Sequence, residues 1–399
     1  MRSFVSQKVA AIPPSGIRKF FDLVAQSRGI ISLGVGEPDF VTPWHIRESA
    51  IYSLERGRTT YTSNWGLLEL RQAVSHHLAA WQGLSYDPEF EVLITVGVAE
   101  GIDLAMRAVL EPGDEVLVVE PCFVSYAPCA ALAGGTVVPV ETRLEDEFKL
   151  TPEILKRKIT PRSKVLMMGF PSNPTGAVMT EQELAAIAEI AIEHDLLVVT
   201  DEIYGDLTYE GTHRSIGTLP GMRERTILLN GFSKAYAMTG WRIGYACGPA
   251  DILAAMMKIH QFAIMCPPIT GQYAALEALQ RGATERDKMV AAYDQRRRLM
   301  VEGFRQIGLP CFEPKGAFYI FPSIAPTGMT EEEFAYGLLE EEKVAVVPGS
   351  AFGASGKGHI RCAYAASTEK LTEALRRIGA FTERHAQQTP NETEIAMRR

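Results

Sequence analysis

Short apolar runs alternate with amphipathic helical patterns between about residue 90 and residue 250. Each run is rich in valine, isoleucine or leucine, which is typical of strands buried on both faces of a sheet. Alternating strands and helices predict an α/β fold with a parallel sheet that binds ligands at the carboxyl ends of its strands. The predicted strands are Val92–Val96, Glu115–Val119, Thr136–Val140, Lys164–Gly169, Leu196–Thr200 and Thr226–Asn230.

Helix starts can be read between these strands. Thr180 and Glu183 have the spacing of a capping box before an apolar helical run. Thr151 and Pro152 supply an N-cap and a proline at the first helical position. A further helix, over 102–110, is predicted to follow the turn Thr95–Gly101.

The pattern changes after about residue 285 to a mixture of helices and strands. We expect helices over 295–307 and 368–381, a capping box at 330–333, and strands over 317–321, 343–347 and 359–364. This predicts a second, smaller α+β domain. The proposed division is an N-terminal segment 1–45 packing with the small domain, a large domain 46–285, a small domain 286–384 and a frayed tail 385–399.

Composition and charge exclude several classes of protein. With 399 residues, 46% apolar and 22% charged, the chain is long enough for a large core and is not of the disordered type. Its net charge of −8 gives no general attraction to nucleic acid or anionic lipid. The six cysteines include no C-x-x-C pair, the histidines show no metal-ligand spacing, and no run of 18 apolar residues occurs. We therefore expect a soluble cytoplasmic protein without a metal site.

The most informative stretch is residues 231–245, which contains Lys234 and, eight residues later, Arg242 between two glycines. An amine held on a rigid site forms a Schiff base with an aldehyde, and a nearby guanidinium holds a phosphate by paired hydrogen bonds. Together they indicate pyridoxal 5′-phosphate. For an arbitrary lysine a surface position is the commoner interpretation.

Other candidates follow predicted strands. The turn Thr95–Gly101 opens a helix whose free amides suit a phosphate, although many such turns contain glycine. Asn173 lies in a turn with two prolines, and an ordinary turn asparagine is the alternative. Asp201 can pair with a protonated pyridine nitrogen or serve as an N-cap, and Tyr204 can donate to the ring's phenolic oxygen.

Two more residues have open interpretations. Phe123 follows a strand and either stacks on a flat cofactor or packs in the core. Arg361 alternates with apolar neighbours in the small domain, so it faces inward and needs an anion. That anion is a substrate carboxylate or a structural carboxylate.

In this order and at these spacings, the motifs resemble the class I/II aminotransferases, which are pyridoxal-phosphate enzymes of fold type I. The resemblance runs from Ile31–Phe40 through Tyr61–Arg71 and Val347–Phe352 to Thr368, and the segment around Lys234 is its most specific part. It implies a large domain with a mostly parallel seven-stranded sheet flanked by helices, a smaller α+β domain, and a homodimer with shared active sites.

The resemblance also assigns roles. Lys234 would carry the cofactor and act as general base, Asp201 would pair with the pyridine nitrogen, and Phe123 would stack on the ring. Asn173 and Tyr204 would hold the phenolic oxygen. The remaining roles are phosphate contacts from the Val98 and Ala99 amides, from Arg242 and from Tyr61 of the neighbouring subunit, and substrate α-carboxylate contacts from Arg361, Asn173 and the Gly36 backbone.

Two positions depart from the family pattern. Gly231 stands where a hydroxyl residue is usual three positions before the lysine, and Ala99 stands where a polar residue is frequent. Each change removes a hydrogen bond to a charged phosphate, worth about 1.5–3 kcal/mol and therefore roughly tenfold or more in affinity. Ser233, water or additional backbone amides are candidates to compensate.

The expected reaction is ping-pong transfer of an amino group between an L-amino acid and a 2-oxo acid, with 2-oxoglutarate and glutamate as the couple implied by the family. A β-lyase or another α-carbon enzyme of the same fold is the runner-up. A DNA-binding regulator is disfavoured because only some 30 residues precede Ile31 and the chain is acidic. A non-catalytic cofactor-binding protein is disfavoured because a base, an electron sink and a carboxylate clamp are all present.

The segment Ser15–Phe21 is the only part of the sequence that gives an indication of the substrate side chain. It resembles a segment of bacterial aminotransferases acting on alanine, aspartate or diaminopimelate-type substrates. Ile17 is the candidate contact to the side chain. Arg18 and Lys19 are candidates for a distal carboxylate.

Overall fold

The computed structural model describes residues 4–14 and 29–385. The segment Ser15–Phe21, with Ile17, Arg18 and Lys19, therefore lies outside the described residues, as does the tail beyond His385. In chain order the strands are β1 (Ile31–Ser32), β2 (Val92–Thr95), β3 (Glu115–Glu120), β4 (Thr136–Glu141), β5 (Ser163–Gly169), β6 (Leu197–Asp201), β7 (Thr226–Gly231), β8 (Gly244–Cys247), β9 (Tyr319–Ile320), β10 (Val344–Ala345), β11 (Val347–Pro348) and β12 (Ile360–Ala363).

The α-helices surround these strands. They are Gln7–Ala10, Trp44–Glu55, Leu68–Gln82, Gly97–Val109, Tyr126–Ala133, Pro152–Lys156, Glu181–Glu193, Ala250–Ala263, Ile269–Arg281, Ala283–Ile307, Glu331–Glu342 and Thr368–His385. Short 3-10 helices lie at Leu144–Asp146, Ile216–Thr218, Arg223–Arg225, Thr239–Trp241, Ala325–Thr327, Gly349–Phe352 and Ala354–Gly356.

The large domain is built on a seven-stranded sheet in the order β2-β8-β7-β6-β5-β3-β4. Six strands share one direction, and β8 alone runs antiparallel to its neighbours β2 and β7. This confirms the mostly parallel α/β sheet. All six predicted strands form within two residues of their expected bounds, whereas β8 was not predicted.

Both faces of the sheet are covered by helices. Along β3, Val116 and Val118 face the helices Gly97–Val109 and Ala250–Ala263, whereas Leu117 and Val119 face the helix Glu181–Glu193 on the other side. This alternation follows from the two-residue period of a strand. The prediction of strands buried on both faces is wrong for β4, which is a partly exposed edge strand. Pro139 has no backbone N–H, and an edge strand tolerates this because one of its sides has no neighbouring strand.

Local capping signals were reliable, and helix lengths were not. The capping boxes at Thr180 and Thr330 and the Thr151 cap form as predicted. The helix expected from residue 102 begins at Gly97, and the one expected from residue 295 begins at Ala283. Both extra stretches contain residues that break the apolar period, so tertiary packing rather than periodicity sets these starts.

The small domain holds an antiparallel sheet in the order β11-β12-β9 and a separate pair in which β1 runs parallel to β10. Ile31–Ser32 of the N-terminal segment thus pairs with Val344–Ala345. The domain boundaries given above stay a prediction. The six cysteines are free thiols, three of them buried and three partly exposed. Among the described residues, no helix has the length and apolarity needed to cross a membrane.

Candidate active site

A cavity of about 720 Å³ opens at the carboxyl ends of the parallel strands. Asn173 follows β5, Asp201 ends β6 and Lys234 follows β7, so the parallel topology brings them to one edge of the sheet. Of the twelve residues expected to form the site, the cavity is lined by Gly36, Val98, Ala99, Phe123, Asn173, Asp201, Tyr204, Ser233, Lys234, Arg242 and Arg361. Tyr61 does not line it.

The Lys234 side chain extends from the turn after β7 into the cavity. Its Nζ donates a hydrogen bond to the Gly36 carbonyl oxygen at 2.6 Å. The same nitrogen lies 5.8 Å from the ring centres of Tyr204 and Phe318. Burial, followed by the nearby Arg361 charge, lowers the pKa of Lys234 from 10.5 to about 8. A substantial fraction of the amine is therefore unprotonated in mildly alkaline solution and can act as nucleophile or base.

Asp201 is a buried carboxylate with two neutral donors. The Tyr126 hydroxyl donates to Oδ2 at 2.8 Å, and the Ile203 amide donates to Oδ1 at 3.1 Å. Burial outweighs these bonds and raises the pKa of Asp201 to about 6. The residues after Asp201 form turns rather than a helix, so the alternative of an N-cap is wrong. A carboxylate left in such a setting favours a cationic partner.

Two tyrosines of the cavity were missed by the sequence analysis. Tyr126 reaches Asp201 from a helix start 75 residues earlier in the chain. Tyr319, on β9, forms a hydroxyl–hydroxyl hydrogen bond of 2.6 Å with Tyr204. Tyr126 lies far from Asp201 in the sequence, and Tyr319 lies far from Tyr204. No local motif therefore links either pair, and the sequence shows each tyrosine only as one more aromatic residue in an apolar segment. Phe123 lies edge-on to Tyr126, with ring centres 5.8 Å apart.

Glycines allow the Arg242 guanidinium to approach the start of the helix Gly97–Val109. A Cβ atom at Gly97 would lie 2.5 Å from Arg242 Nη2, and one at Gly244 would lie 2.7 Å from the Val98 amide nitrogen. Arg242 itself has a left-handed backbone, with φ of 57°, and its Nη1 donates to the Thr239 carbonyl at 2.9 Å. The first amides of a helix have no partner within it. Together with the guanidinium they form an anion-binding corner.

The backbone geometry explains why Gly231 lacks the usual hydroxyl. Gly231 is paired with Gly244 across β7 and β8. A Cβ atom at Gly231 would lie 2.8 Å from Gly244 Cα and 3.0 Å from the Ile243 carbonyl oxygen. Ser233, two residues later, lines the cavity and offers a hydroxyl there.

Arg361 projects inward from β12 and is 3% exposed. Its Nη1 donates to Asn173 Oδ1 at 2.8 Å and its Nη2 donates to the Gly34 carbonyl at 2.6 Å, while Nε is buried without a hydrogen-bond partner. The guanidinium carbon lies 4.5 Å from the ring centre of Tyr319 and 4.7 Å from that of Phe352. Within the described part of the chain, no carboxylate forms an ion pair with Arg361, which leaves its charge for a ligand.

Tyr61 lies on the surface, with 79% of its side chain exposed. Its predicted contact is to the neighbouring subunit, which is consistent with a position outside the cavity of its own chain. The role of each site residue remains a prediction, whereas their convergence on one cavity is a feature of the fold.

Comparisons with known proteins agree with this geometry. The family model described as aminotransferase class I and II matches residues 28–378. The chain is 52% identical over 381 residues to the putative aminotransferase YugH of Bacillus subtilis, covering 96% of this chain and 99% of the relative. It is 45% identical over 377 residues to aromatic-amino-acid aminotransferase 2 of Thermococcus litoralis, covering 94% and 97%.

Solved structures give the same result. The aspartate aminotransferase from Thermus thermophilus with maleate superposes with a TM-score of 0.91 at 42% identity, covering 95% of this chain and 100% of that one.

Proposed function

Because the chain belongs to the aminotransferase class I and II family and is thus an amino-group transferase, we propose that it uses pyridoxal 5′-phosphate to move an amino group between an L-amino acid and a 2-oxo acid by a ping-pong mechanism. We take 2-oxoglutarate and glutamate as one couple by family analogy. The observation that carries the proposal is the convergence of the Lys234 amine, the Asp201 carboxylate and the Arg361 guanidinium on one cavity.

The residues of the cavity fit this cofactor. Asp201 is buried with neutral donors only, and a protonated pyridine nitrogen would supply the positive charge that it lacks. The Val98 and Ala99 amides, Arg242 and Ser233 offer donors to a phosphate. When bound, the cofactor supplies an aldehyde that captures amines and a ring that accepts electrons from the substrate Cα.

Lys234 is the group that moves the proton. Its lowered pKa allows the free amine to remove a proton from the substrate Cα and to return it as an acid. The hydrogen bond to the Gly36 carbonyl, a group that also lines the cavity, holds Nζ in place. The Asp201 carboxylate would hold a protonated pyridine nitrogen of the cofactor, which would keep the ring an electron acceptor.

Arg361 binds the substrate through its α-carboxylate. Its buried cation has an unpaired Nε and two neutral acceptors, and a carboxylate would complete its hydrogen bonds. Asn173 gives its carbonyl oxygen to Arg361, so its amide Nδ2 remains as a donor toward the cofactor's phenolic oxygen, beside the Tyr204 hydroxyl. A substrate held in this way would lie in the cavity that Lys234 also lines.

We further propose that the active unit is a homodimer in which Tyr61 reaches the phosphate of the neighbouring subunit. Light scattering during gel filtration should give twice the chain mass. Tyr61→Phe should weaken cofactor binding several-fold without dissociating the dimer, since the ring is kept. A monomer with full activity contradicts this arrangement.

The reaction class is tested by giving the loaded enzyme an amino acid alone. An aminotransferase stops after about one 2-oxo acid per site, whereas the runner-up β-lyase keeps releasing pyruvate and ammonia. Lys234→Ala should abolish both turnover and the visible absorbance of the bound cofactor. The exposed Lys258→Ala is the matched control and should keep both. Full multiple turnover by Lys234→Ala would refute the assignment.

The amino donor is identified by a panel assayed against 2-oxoglutarate, with glutamate as the measured product. Aspartate, the aromatic amino acids and alanine are the first donors to test, because named relatives act on aspartate and on aromatic amino acids. No glutamate from any donor, with cofactor bound, would contradict the proposed couple.

A further inference from the structure

Tyr319 contacts three groups of the cavity, although no sequence motif pointed to it. It lies on β9 and is 1% exposed. Its hydroxyl is 2.6 Å from the Tyr204 hydroxyl, and its ring centre is 4.5 Å from the Arg361 guanidinium carbon. A methyl group added at Gly36 would overlap the Tyr319 hydroxyl. The residue therefore joins the small-domain sheet to groups predicted to hold the cofactor and the substrate.

The number of available protons fixes the direction of the hydrogen bond. Each phenol carries one proton, and in the structure either hydroxyl can be the donor. If the Tyr204 O–H donates its hydrogen bond to the cofactor's phenolic oxygen, the Tyr204 oxygen can only accept a hydrogen bond from Tyr319. Among the described residues, the Tyr204 hydroxyl is the only hydrogen-bond partner of the Tyr319 hydroxyl.

We propose that Tyr319 is a positioning residue whose hydroxyl donates a hydrogen bond to the Tyr204 hydroxyl and thereby directs the Tyr204 O–H toward the phenolic oxygen of the cofactor. The inference rests on the proposed function, because it requires the cofactor in the cavity. Chained hydrogen bonds polarise one another, so the Tyr319 donor strengthens the Tyr204 donor. Tyr319 acts through Tyr204 and does not touch the reacting atoms.

The ring of Tyr319 has a second, separable role. Its centre lies 4.5 Å from the Arg361 guanidinium carbon, and the Phe352 ring centre lies 4.7 Å from the same carbon. In the small-domain sheet Tyr319 is paired with Ala363, two residues after Arg361. Cation–π contact with these two rings helps to hold the guanidinium where it donates to Asn173 and Gly34. The hydroxyl thus serves the cofactor and the ring serves the carboxylate clamp.

Tyr319→Phe removes the hydroxyl and keeps the ring. Without the Tyr319 hydroxyl, the Tyr204 hydroxyl would be a weaker hydrogen-bond donor to the phenolic oxygen of the cofactor. That oxygen would then carry more negative charge, which would raise the pKa of the neighbouring nitrogen that joins Lys234 to the cofactor. The pH midpoint of the visible absorbance band of the bound cofactor should rise by about half a unit to one unit, which corresponds to the loss of one hydrogen bond. The KM for the amino acid should stay within about twofold, because the contact to Arg361 remains.

Tyr319→Leu removes both features. It should shift the absorbance midpoint as Tyr319→Phe does and also raise the KM by roughly 2- to 30-fold, the range of a cation–π contact from exposed to desolvated sites. Tyr364→Phe is the matched control, because it deletes another buried hydroxyl of the small domain, bonded to the Ala317 carbonyl and not to Tyr204. It should leave the midpoint unchanged.

The results separate this proposal from the function on which it rests. If wild-type protein shows no visible band with pyridoxal 5′-phosphate, the proposed function fails. If the wild type shows the band and Tyr319→Phe titrates at the same pH, or shifts no further than Tyr364→Phe, the role of Tyr319 is refuted while the aminotransferase site stands.

Discussion

Replacing Gly231 by serine sets the family pattern against the geometry of this chain. From the pattern, a hydroxyl three residues before Lys234 adds a hydrogen bond to the phosphate and tightens cofactor binding, by about 1.5–3 kcal/mol. The structure predicts the opposite. A Cβ atom at Gly231 would lie 2.8 Å from Gly244 Cα and 3.0 Å from the Ile243 carbonyl oxygen, and backbone atoms cannot rotate aside as a side chain does.

The magnitude follows from what must move. Strand β8 has to shift away from β7, which is an overpacking change of about 1–3 kcal/mol. Gly244 on β8 packs closely against the backbone of Val98, since a Cβ at Gly244 would lie 2.7 Å from the Val98 amide nitrogen. A shift of β8 would therefore displace the amide that is predicted to bind the cofactor's phosphate. We therefore expect Gly231→Ser to lower the free energy of unfolding by about that amount and to weaken pyridoxal 5′-phosphate rather than tighten it.

The assay is urea unfolding of the cofactor-free protein, followed by titration with the cofactor. Gly240→Ser is the control, since that glycine lies in the 3-10 helix Thr239–Trp241 between β7 and β8 and a Cβ there would meet nothing within 4 Å. It should unfold with the wild type. A Gly231→Ser variant that unfolds at the wild-type urea concentration and binds the cofactor more tightly would refute the steric argument.

Changes at Asp201, Lys234 and Arg361 test the charged groups of the cavity. Asp201→Ala should keep some cofactor but nearly stop loss of the substrate Cα deuterium; an unchanged rate removes its role as electron-sink partner. The lowered pKa of Lys234 destabilises the cofactor-free protein progressively as pH falls from 10.5 to about 8 and fully below that. Lys234→Met should therefore be more stable than wild type at pH 7, by about 3 kcal/mol, with the difference vanishing above pH 10.5 in urea unfolding. Arg361→Lys should raise the KM of the amino acid by roughly 10- to 100-fold with a smaller change in kcat. A fall in kcat as large as the rise in KM would contradict a role for Arg361 mainly in binding the substrate.

Short-range signals made the site visible in the sequence. Lys234 and Arg242 share one segment, and Asn173 and Asp201 each follow a strand that its own apolar composition reveals. Parallel strands end at one edge, so local motifs after successive strands are brought together without further information. The capping boxes at Thr180 and Thr330 are likewise complete within four residues.

Contacts between distant segments were not visible. The reversed strand β8 is short and its direction depends on pairing with β2 and β7. The hydrogen bonds from Tyr126 to Asp201 and between Tyr204 and Tyr319 join residues 75 and 115 positions apart. The steric need for glycine at position 231 arises from a strand that begins thirteen residues later in the chain.

The sequence by itself determined the α/β class and most residues that line the cavity, and it predicted the cofactor chemistry, because these depend on periodicity and on motifs a few residues long. The tertiary structure alone decided which hydrogen bonds support those residues, which backbone positions admit a side chain, and which cation is left for a substrate. The physical reason is that desolvation and close approach depend on neighbours supplied by the whole fold, as the pKa values of Asp201 and Lys234 show.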